Sequence, residues 1–291
     1  MSASTLAAAP YQSVDLHAGT IRYRVAGHGP SLVFVHGLFM NGDLWRGVVA
    51  ELAERYRCFV PEWPLGAHEW PMHPDADLSP PGVATLILEF IEALELHDVT
   101  LVGNDTGGAL CQIAISRRPA RVARLALTNC DSYESFFPPS LRAFQVLPRI
   151  PGATWLLAQA LRPRVVRRAF AKSVAKRIPA TPQLDVLFAP TLRCAHVRRD
   201  LRKFCTRVSS RQTLEAAKTF ASYERPVLIV WGQDDWFFPQ SHGRRLAESF
   251  PNARLECVDD SRTLVPEDQP VRLAALIAEF VGTYVAETQP A

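Results

Sequence analysis

An aspartate between small residues is the feature of this sequence that most directly suggests chemistry. Residues 102–108 read Val-Gly-Asn-Asp-Thr-Gly-Gly and join an apolar run to a segment with helical spacing. Small residues allow a tight turn from a strand into a helix, and the turn lifts the side chain at its apex, here Asp105, above the sheet edge. A carboxylate there can displace a halide or open an epoxide and become an alkyl ester. The alternative is a structural Asp that caps the helix.

The segments on both sides of Asp105 predict the sheet that would position it. Apolar runs suited to buried strands occupy residues 31–35, 57–60, 99–103, 124–128, 226–231 and 254–258. Helical spacing occupies much of the intervening chain, including residues 44–56, 83–96 and 107–118. Because buried strands that alternate with helices form parallel sheets covered on both faces, we predict an α/β fold with a mostly parallel central sheet.

Residues 133–217 interrupt this alternation. They show helical periodicity and prolines but no convincing strand, and they hold 16 Lys+Arg against 4 Asp+Glu, whereas the rest of the chain holds 16 against 25. We therefore predict a helical cap at 133–217, inserted into a core formed by 1–132 and 218–291. A basic surface of this kind attracts anionic ligands or nucleic acid, or it docks on an acidic body. We favour docking because the chain carries no known nucleic-acid-binding motif.

Together with the Asp105 turn, two further segments resemble the α/β-hydrolase family, and the resemblance covers nearly the whole chain. One segment is Val-His-Gly-Leu at 35–38 and the other is Trp-Gly-Gln-Asp-Asp at 231–235. The resemblance implies an α/β-hydrolase fold with Asp105 as nucleophile and Asp235 as the triad acid. It also implies an oxyanion hole formed by the backbone N–H groups of Leu38 and Thr106. The Asp nucleophile and the cap position resemble the branch that contains haloalkane dehalogenases and epoxide hydrolases.

The histidine that completes the triad in that family has no counterpart here. Residues 263–270, Thr-Leu-Val-Pro-Glu-Asp-Gln-Pro, resemble the family's histidine-containing segment and place Thr263 at the histidine position. A Thr hydroxyl cannot accept a proton at neutral pH. Loss of a triad member costs about four to six decades in rate, so hydrolysis is expected to stall at the alkyl ester unless another base serves. His68, on the loop after the run 57–60, is the candidate surrogate base.

Aromatic residues flank the expected cleft from both sides. Trp236 and Phe237 follow the acid, and Tyr133 and Phe136 lie at the start of the cap. We interpret these residues as the lining of an apolar substrate cavity between the cap and the core, with packing between the two units as the alternative. The resemblance to epoxide hydrolases also implies that Tyr133 is a candidate proton donor for epoxide opening.

The predicted function is hydrolysis of a carbon–halogen, epoxide or ester bond in a small apolar substrate by an atypical triad. The alternatives are a lyase, isomerase or cyclase that uses Asp105 as acid and base, or a ligand-binding protein without catalysis. No cofactor, metal, nucleic acid or membrane partner is expected, and the chain is expected to be a monomer or homodimer. Six cysteines without a C-x-x-C pair indicate reduced thiols in the cytoplasm. No apolar run reaches the roughly 18 residues of a membrane helix.

Overall fold

Eight strands form one sheet through the centre of the protein. The structure, a computed structural model, describes residues 5–177 and 181–288. The strands are β1 (Gln12–Leu16), β2 (Gly19–Ala26), β3 (Ser31–Val35), β4 (Arg57–Pro61), β5 (Val99–Asp105), β6 (Val122–Cys130), β7 (Val227–Gly232) and β8 (Ala253–Val258). They lie in the order β1-β2-β4-β3-β5-β6-β7-β8. The pairs β1–β2 and β2–β4 are antiparallel and the remaining pairs are parallel, so the predicted mostly parallel sheet is confirmed.

Helices cover this sheet. The α-helices of the described residues are α1 (Thr5–Ala8), α2 (Arg46–Leu52), α3 (Pro80–Ala93), α4 (Thr106–Ile115), α5 (Ala143–Val146), α6 (Ala153–Ala160), α7 (Arg164–Val174), α8 (Thr181–Arg193), α9 (Ala195–Arg207), α10 (Ser210–Ala217), α11 (Gln240–Ser249), α12 (Val265–Asp268) and α13 (Pro270–Thr288). Short 3-10 turns occupy Gly42–Trp45, Pro139–Leu141, Leu147–Arg149 and Phe220–Ser222. None of the helices in the described part of the chain is long and apolar enough to cross a bilayer.

The burial of the strands explains which of them the sequence reveals. Every residue of β7 is buried, and β5 is buried up to Asp105, so both strands are continuous apolar runs. The antiparallel strands β1 and β2 were not predicted. No residue of β1 is buried, and β2 alternates buried with partly exposed residues and carries polar side chains such as Arg22 and Arg24, so neither is a continuous apolar run.

The segment 133–217, which we call the cap, contains helices α5 to α10 between β6 and β7. Several of its cations pair with carboxylates of the surrounding core. Lys176 Nζ lies 2.5 Å from Asp234 Oδ2 and 2.8 Å from Asp260 Oδ1, and Arg207 lies 2.8 Å from Asp77. These contacts support the interpretation that part of the basic charge docks the cap on an acidic body.

Candidate active site

Asp105 lies at the apex of a strained turn between β5 and α4. Its backbone has φ 54° and ψ −133°, in the left-handed half of conformational space that residues other than glycine rarely adopt. Gly107 is required beside it, because a Cβ there would lie 2.3 Å from the carbonyl oxygen of Val35. The Asp105 side chain makes no capping hydrogen bond to α4, which argues against the structural N-cap alternative. The turn therefore has the geometry that presents a nucleophile.

Two backbone N–H groups converge on the Asp105 carboxyl group. The N–H of Leu38 donates to Oδ2 at 3.2 Å, and the N–H of Thr106 lies near enough to lower the pKa of the carboxyl group. These are the two donors that the sequence predicts for the oxyanion hole. If the other oxygen became the ester oxygen, Oδ2 would become the carbonyl oxygen, and the donors already stand where negative charge would develop on it.

The electrostatics of the site raise the pKa of Asp105 to about 7. Burial is the largest cause and the charge of Asp235 adds to it, whereas the N–H groups of Thr106 and Leu38 oppose the shift. The residue nevertheless keeps part of its surface accessible to a water-sized molecule. Its protonated and ionised forms are both populated near neutral pH.

The predicted acid, Asp235, is held on both oxygens. Oδ2 accepts from Asn129 Nδ2 at 2.7 Å, and Oδ1 accepts from the N–H of Phe237 at 2.8 Å and from the Thr263 hydroxyl at 3.0 Å. Burial raises the pKa of Asp235, and these hydrogen bonds oppose the shift. Asp234, the neighbouring carboxylate, pairs with Lys176 instead.

Thr263 occupies the place beside the acid where a triad histidine would be oriented. Its side chain is buried, its hydroxyl donates to Asp235, and its carbonyl oxygen accepts from Asn104 Nδ2 at 2.7 Å. Asn104 directly precedes Asp105, so this bond connects the Thr263 loop to the turn between β5 and α4. The contact with Asp235 supports the alignment that puts residue 263 at the histidine position.

His68 and His36 hydrogen-bond to residues other than Asp105 and Asp235. The buried His68 lies with Nε2 3.3 Å from Asp200 Oδ2 in the cap, and its Nδ1 accepts from the N–H of Gly66 at 3.4 Å. His36 accepts from the N–H of Trp63, and burial lowers its pKa to about 4. Over residues 5–177 and 181–288, no histidine hydrogen-bonds to Asp105 or Asp235. The role of His68 as a base therefore stays a prediction.

Two of the aromatic residues expected to line the substrate cavity lie elsewhere. Trp236 is 70% exposed, with the Arg262 guanidinium 4.0 Å above its ring. The Tyr133 hydroxyl bonds to Ser249 at 2.7 Å on α11, so it is not free to donate to a substrate on Asp105. The partners of both rings come from a loop or a helix that is distant in sequence from the ring itself. Phe237 is partly buried against the core.

A cluster of phenylalanines that the sequence analysis did not identify covers the oxyanion segment instead. Phe39 follows Leu38, and its ring centroid lies 5.6 to 6.1 Å from those of Phe144, Phe170 and Phe188 on three cap helices. Phe136, predicted as a lining residue, is buried next to Phe137. The four-ring cluster has no local sequence pattern, because three different cap helices contribute one ring each.

A small cavity of about 20 Å³ adjoins this cluster between the cap and the core. Met40, which follows Phe39, and Leu264, which follows Thr263, form part of its wall. Leu184 and Leu187 of α8 close the cap side, and the ion pair between Arg46 and Glu267 lies at its polar end. The cavity is therefore mainly apolar, and its wall includes the residue next to Thr263 but neither Asp105 nor Asp235.

Asp131 is a second buried carboxyl group near the turn that carries Asp105. It is fully buried, its Oδ2 accepts from the Thr106 hydroxyl at 3.2 Å, and its Oδ1 has no hydrogen-bond partner among the described residues. Burial and the charge of Asp105 raise its pKa well above the ordinary range. Asp131 therefore favours the neutral form, which spares Asp105 the repulsion of a second charge.

The chain belongs to the α/β-hydrolase fold family, whose sequence model matches residues 30–270. It is 26% identical over 289 residues to haloalkane dehalogenase 2 of Mycobacterium tuberculosis, which covers 94% of this chain and 96% of that protein. It is 25% identical over 277 residues to monoacylglycerol lipase ABHD6 of Homo sapiens, covering 88% and 77%. A crystal structure of an ancestral haloalkane dehalogenase matches with a TM-score of 0.79 at 22% identity, covering 94% of this chain and 99% of that one. The last likeness supports the fold.

Proposed function

We propose that this protein is a hydrolase-type enzyme in which Asp105 is a carboxylate nucleophile toward a small apolar alkyl halide or epoxide. The observation that carries the proposal is the position of the Asp105 carboxyl group. It stands at a left-handed turn with one oxygen held by the N–H of Leu38, and burial raises its pKa to about 7. Similarity to haloalkane dehalogenase 2 supports the same class of substrate.

The first chemical step needs only the ionised form of Asp105. The free oxygen forms a C–O bond to the saturated carbon of the substrate, and the bond from that carbon to halogen breaks, with its electron pair leaving as halide. For an epoxide, the C–O bond of the ring breaks and the alkoxide takes a proton from water. The product in both cases is an alkyl ester on Asp105.

The second step, hydrolysis of that ester, lacks its usual base. Water must add to the ester carbonyl carbon and give up a proton, while the charge on the former Oδ2 is stabilised by the N–H groups of Leu38 and Thr106. Asp235 is within reach of Thr263, but a hydroxyl cannot take the proton. We therefore infer that the ester persists and that turnover is slow, with His68 as the proposed surrogate base if turnover occurs.

The chemistry of the cavity supports an apolar substrate. Its walls are mainly Leu side chains, and its polar end is occupied by Arg46 and Glu267, which neutralise one another. A ligand with a net charge would find no free counter-ion there, whereas a neutral aliphatic group suits the lining. Because the space is about 20 Å³, enough for about one water molecule, such a group must enlarge it to enter.

One observation favours a second function. A carboxyl group with a pKa of about 7 can release and recover a proton at neutral pH, which is the property required of a general acid–base catalyst. Asp105 would then move a proton in a lyase, isomerase or cyclase reaction without forming an ester. Intact-mass analysis distinguishes the two functions, because only the nucleophilic one leaves a covalent adduct.

The test of the proposal is incubation of the protein with short bromoalkanes, alkyl epoxides and aliphatic esters. We expect a bromoalkane to give a mass increase of one alkyl group and an epoxide that of one hydroxyalkyl group, each mapped by proteolysis to Asp105, with less than one product per protein molecule in the first minutes. In water enriched in oxygen-18, any turnover should place the label in the Asp105 carboxyl group. If no reagent of any class gives an adduct or a product, the nucleophilic function is wrong.

Gly37→Ala is expected to slow ester formation by about 100-fold, because a near-attack geometry is lost when the reacting group is displaced. A Cβ on residue 37 would lie 2.0 Å from Asp105 Oδ2 and 2.6 Å from Asp105 Cβ, so the carboxylate must move off the Leu38 N–H. The rate of adduct formation by mass spectrometry measures the effect. Gly282→Ala is the control, because only the Tyr56 hydroxyl, at 4.0 Å, is near its Cβ. An unchanged rate in a folded Gly37→Ala protein contradicts this packing.

A further inference from the structure

Most of the large apolar side chains that the described structure leaves exposed lie in the cap. Eight of twelve are there, and five of these lie between residues 146 and 156, from the end of α5 into α6. We call these five the apolar patch: Val146, Leu147, Ile150, Trp155 and Leu156. Helices α5 and α6 both pack against the intervening turn, so the patch belongs to one continuous surface. An exposed group of this kind marks an interaction site on a soluble domain.

The patch is the outer face of an anchored segment. Phe144 of α5 packs against the core, and Ala158 of α6 is buried. Arg202 Nε donates to the carbonyl oxygen of Pro148 at 2.8 Å, and Gln145 Nε2 donates to that of Val208 at 2.5 Å. These packed side chains and the two hydrogen bonds hold the segment against the rest of the protein. The exposure of its outward side chains is therefore a property of a well-packed segment.

The charges around the patch have one sign. Arg142, Arg149 and Arg162 are exposed on the same segment, and none of them pairs with a carboxylate among the described residues. The sequence contains no Asp or Glu between Glu134 and Asp185. The surface therefore combines half-exposed apolar side chains with unneutralised guanidinium groups, and a complementary surface must be apolar and anionic.

We propose that this face of the cap lies on an anionic phospholipid bilayer, with the apolar patch among the lipid headgroups and the three arginines on the phosphates. Trp155 has the amphipathic ring that suits the interface, and arginines on a surface helix are attracted to anionic lipid. A second copy of the chain fits less well, because a two-fold contact would bring the same arginines together. None of the described helices can cross a bilayer, but the proposed surface does not need to, because it lies on the bilayer.

The test is co-sedimentation of the full chain with vesicles of phosphatidylglycerol and phosphatidylcholine, and with vesicles of phosphatidylcholine alone. We expect at least tenfold stronger binding to the anionic vesicles, and a blue shift of tryptophan emission that Trp155→Phe reduces. The triple variant Arg142→Gln, Arg149→Gln, Arg162→Gln should bind about 100-fold more weakly, since each basic residue contributes about fivefold. Ile150→Glu combined with Leu156→Glu should also abolish sedimentation.

Val271→Glu is the matched control, because Val271 is equally exposed but lies on α13. It should bind vesicles as the wild type does, and circular dichroism should show that all variants are folded. Equal binding to both vesicle types, no binding, or equal loss in the control would overturn the proposal. Dimers that dissociate in the Ile150→Glu, Leu156→Glu variant, without vesicle binding by the wild type, would assign the patch to self-association instead. None of these outcomes depends on the chemistry at Asp105.

Discussion

Thr263→His is expected to raise the rate of hydrolysis of the alkyl ester on Asp105 by about 10³-fold, the typical contribution of a positioned general base. The Thr263 hydroxyl already donates to Asp235 at 3.0 Å, so an imidazole at residue 263 can donate one N–H to the same oxygen. Its other nitrogen would then face the space beside Asp105 and accept a proton from the attacking water. Repeated turnover should replace the stalled adduct.

The measurement is single-turnover decay of the adduct together with steady-state product release. Thr263→Phe is the control, because it adds a ring of similar size that cannot accept a proton. If Thr263→His folds, forms the adduct and releases it no faster than Thr263→Phe, then residue 263 does not stand at the histidine position. Adduct formation should change little in either variant, because that step needs only the Asp105 carboxylate.

Asp105→Asn is expected to abolish the adduct and to stabilise the folded protein above neutral pH. Asp has a pKa of about 3.9 in an unfolded chain, whereas burial raises that of Asp105 to about 7. Below the unfolded pKa the group is neutral in both states and costs nothing. As the pH rises toward 7 only the unfolded state releases its proton, so the wild type loses stability across that range.

The full shift corresponds to about 4 kcal/mol. Because the residue keeps part of its surface accessible, we expect about half of this, roughly 2 kcal/mol, in favour of Asp105→Asn at pH 8 and almost none at pH 4. Urea unfolding at several pH values measures the difference. Asp75→Asn, at an exposed position, is the control and should show no such pH-dependent gain. A gain that is the same at pH 4 and pH 8 would mean that the carboxyl group is not strained by burial.

The fold was predictable because its strongest signals are local. Continuous apolar runs such as β5 and β7 are buried on both faces, and the glycines around Asp105 are required by close backbone contacts. The two antiparallel strands at one edge, β1 and β2, were missed because they are partly exposed and interrupted by polar side chains. A continuous apolar pattern identifies only strands that are covered on both faces.

The site was predictable only in part. The Asp105 turn and the contact between Thr263 and Asp235 follow from short motifs with fixed spacing, and the structure brings these residues together. The wall of the cavity does not follow from such motifs. Trp236 stacks on Arg262, and Phe39 is covered by rings from several cap helices, so each depends on a partner distant in sequence. Aromatic residues adjacent to a catalytic motif are therefore a weak guide to what lines the pocket.

The anchoring of the cap has a mechanical consequence for the loops that carry the acid and Thr263. Lys176 is tied to Asp234, which directly precedes Asp235, and the Asp268 carboxylate accepts the N–H groups of Lys176 and Arg177 at 2.7 Å from just beyond Thr263. Lifting this corner of the cap would pull on both loops together. A movement of this corner that admitted a substrate would therefore also change the positions of Asp235 and Thr263. Dissolved salt would weaken the ion pair between Lys176 and Asp234 by screening its charges.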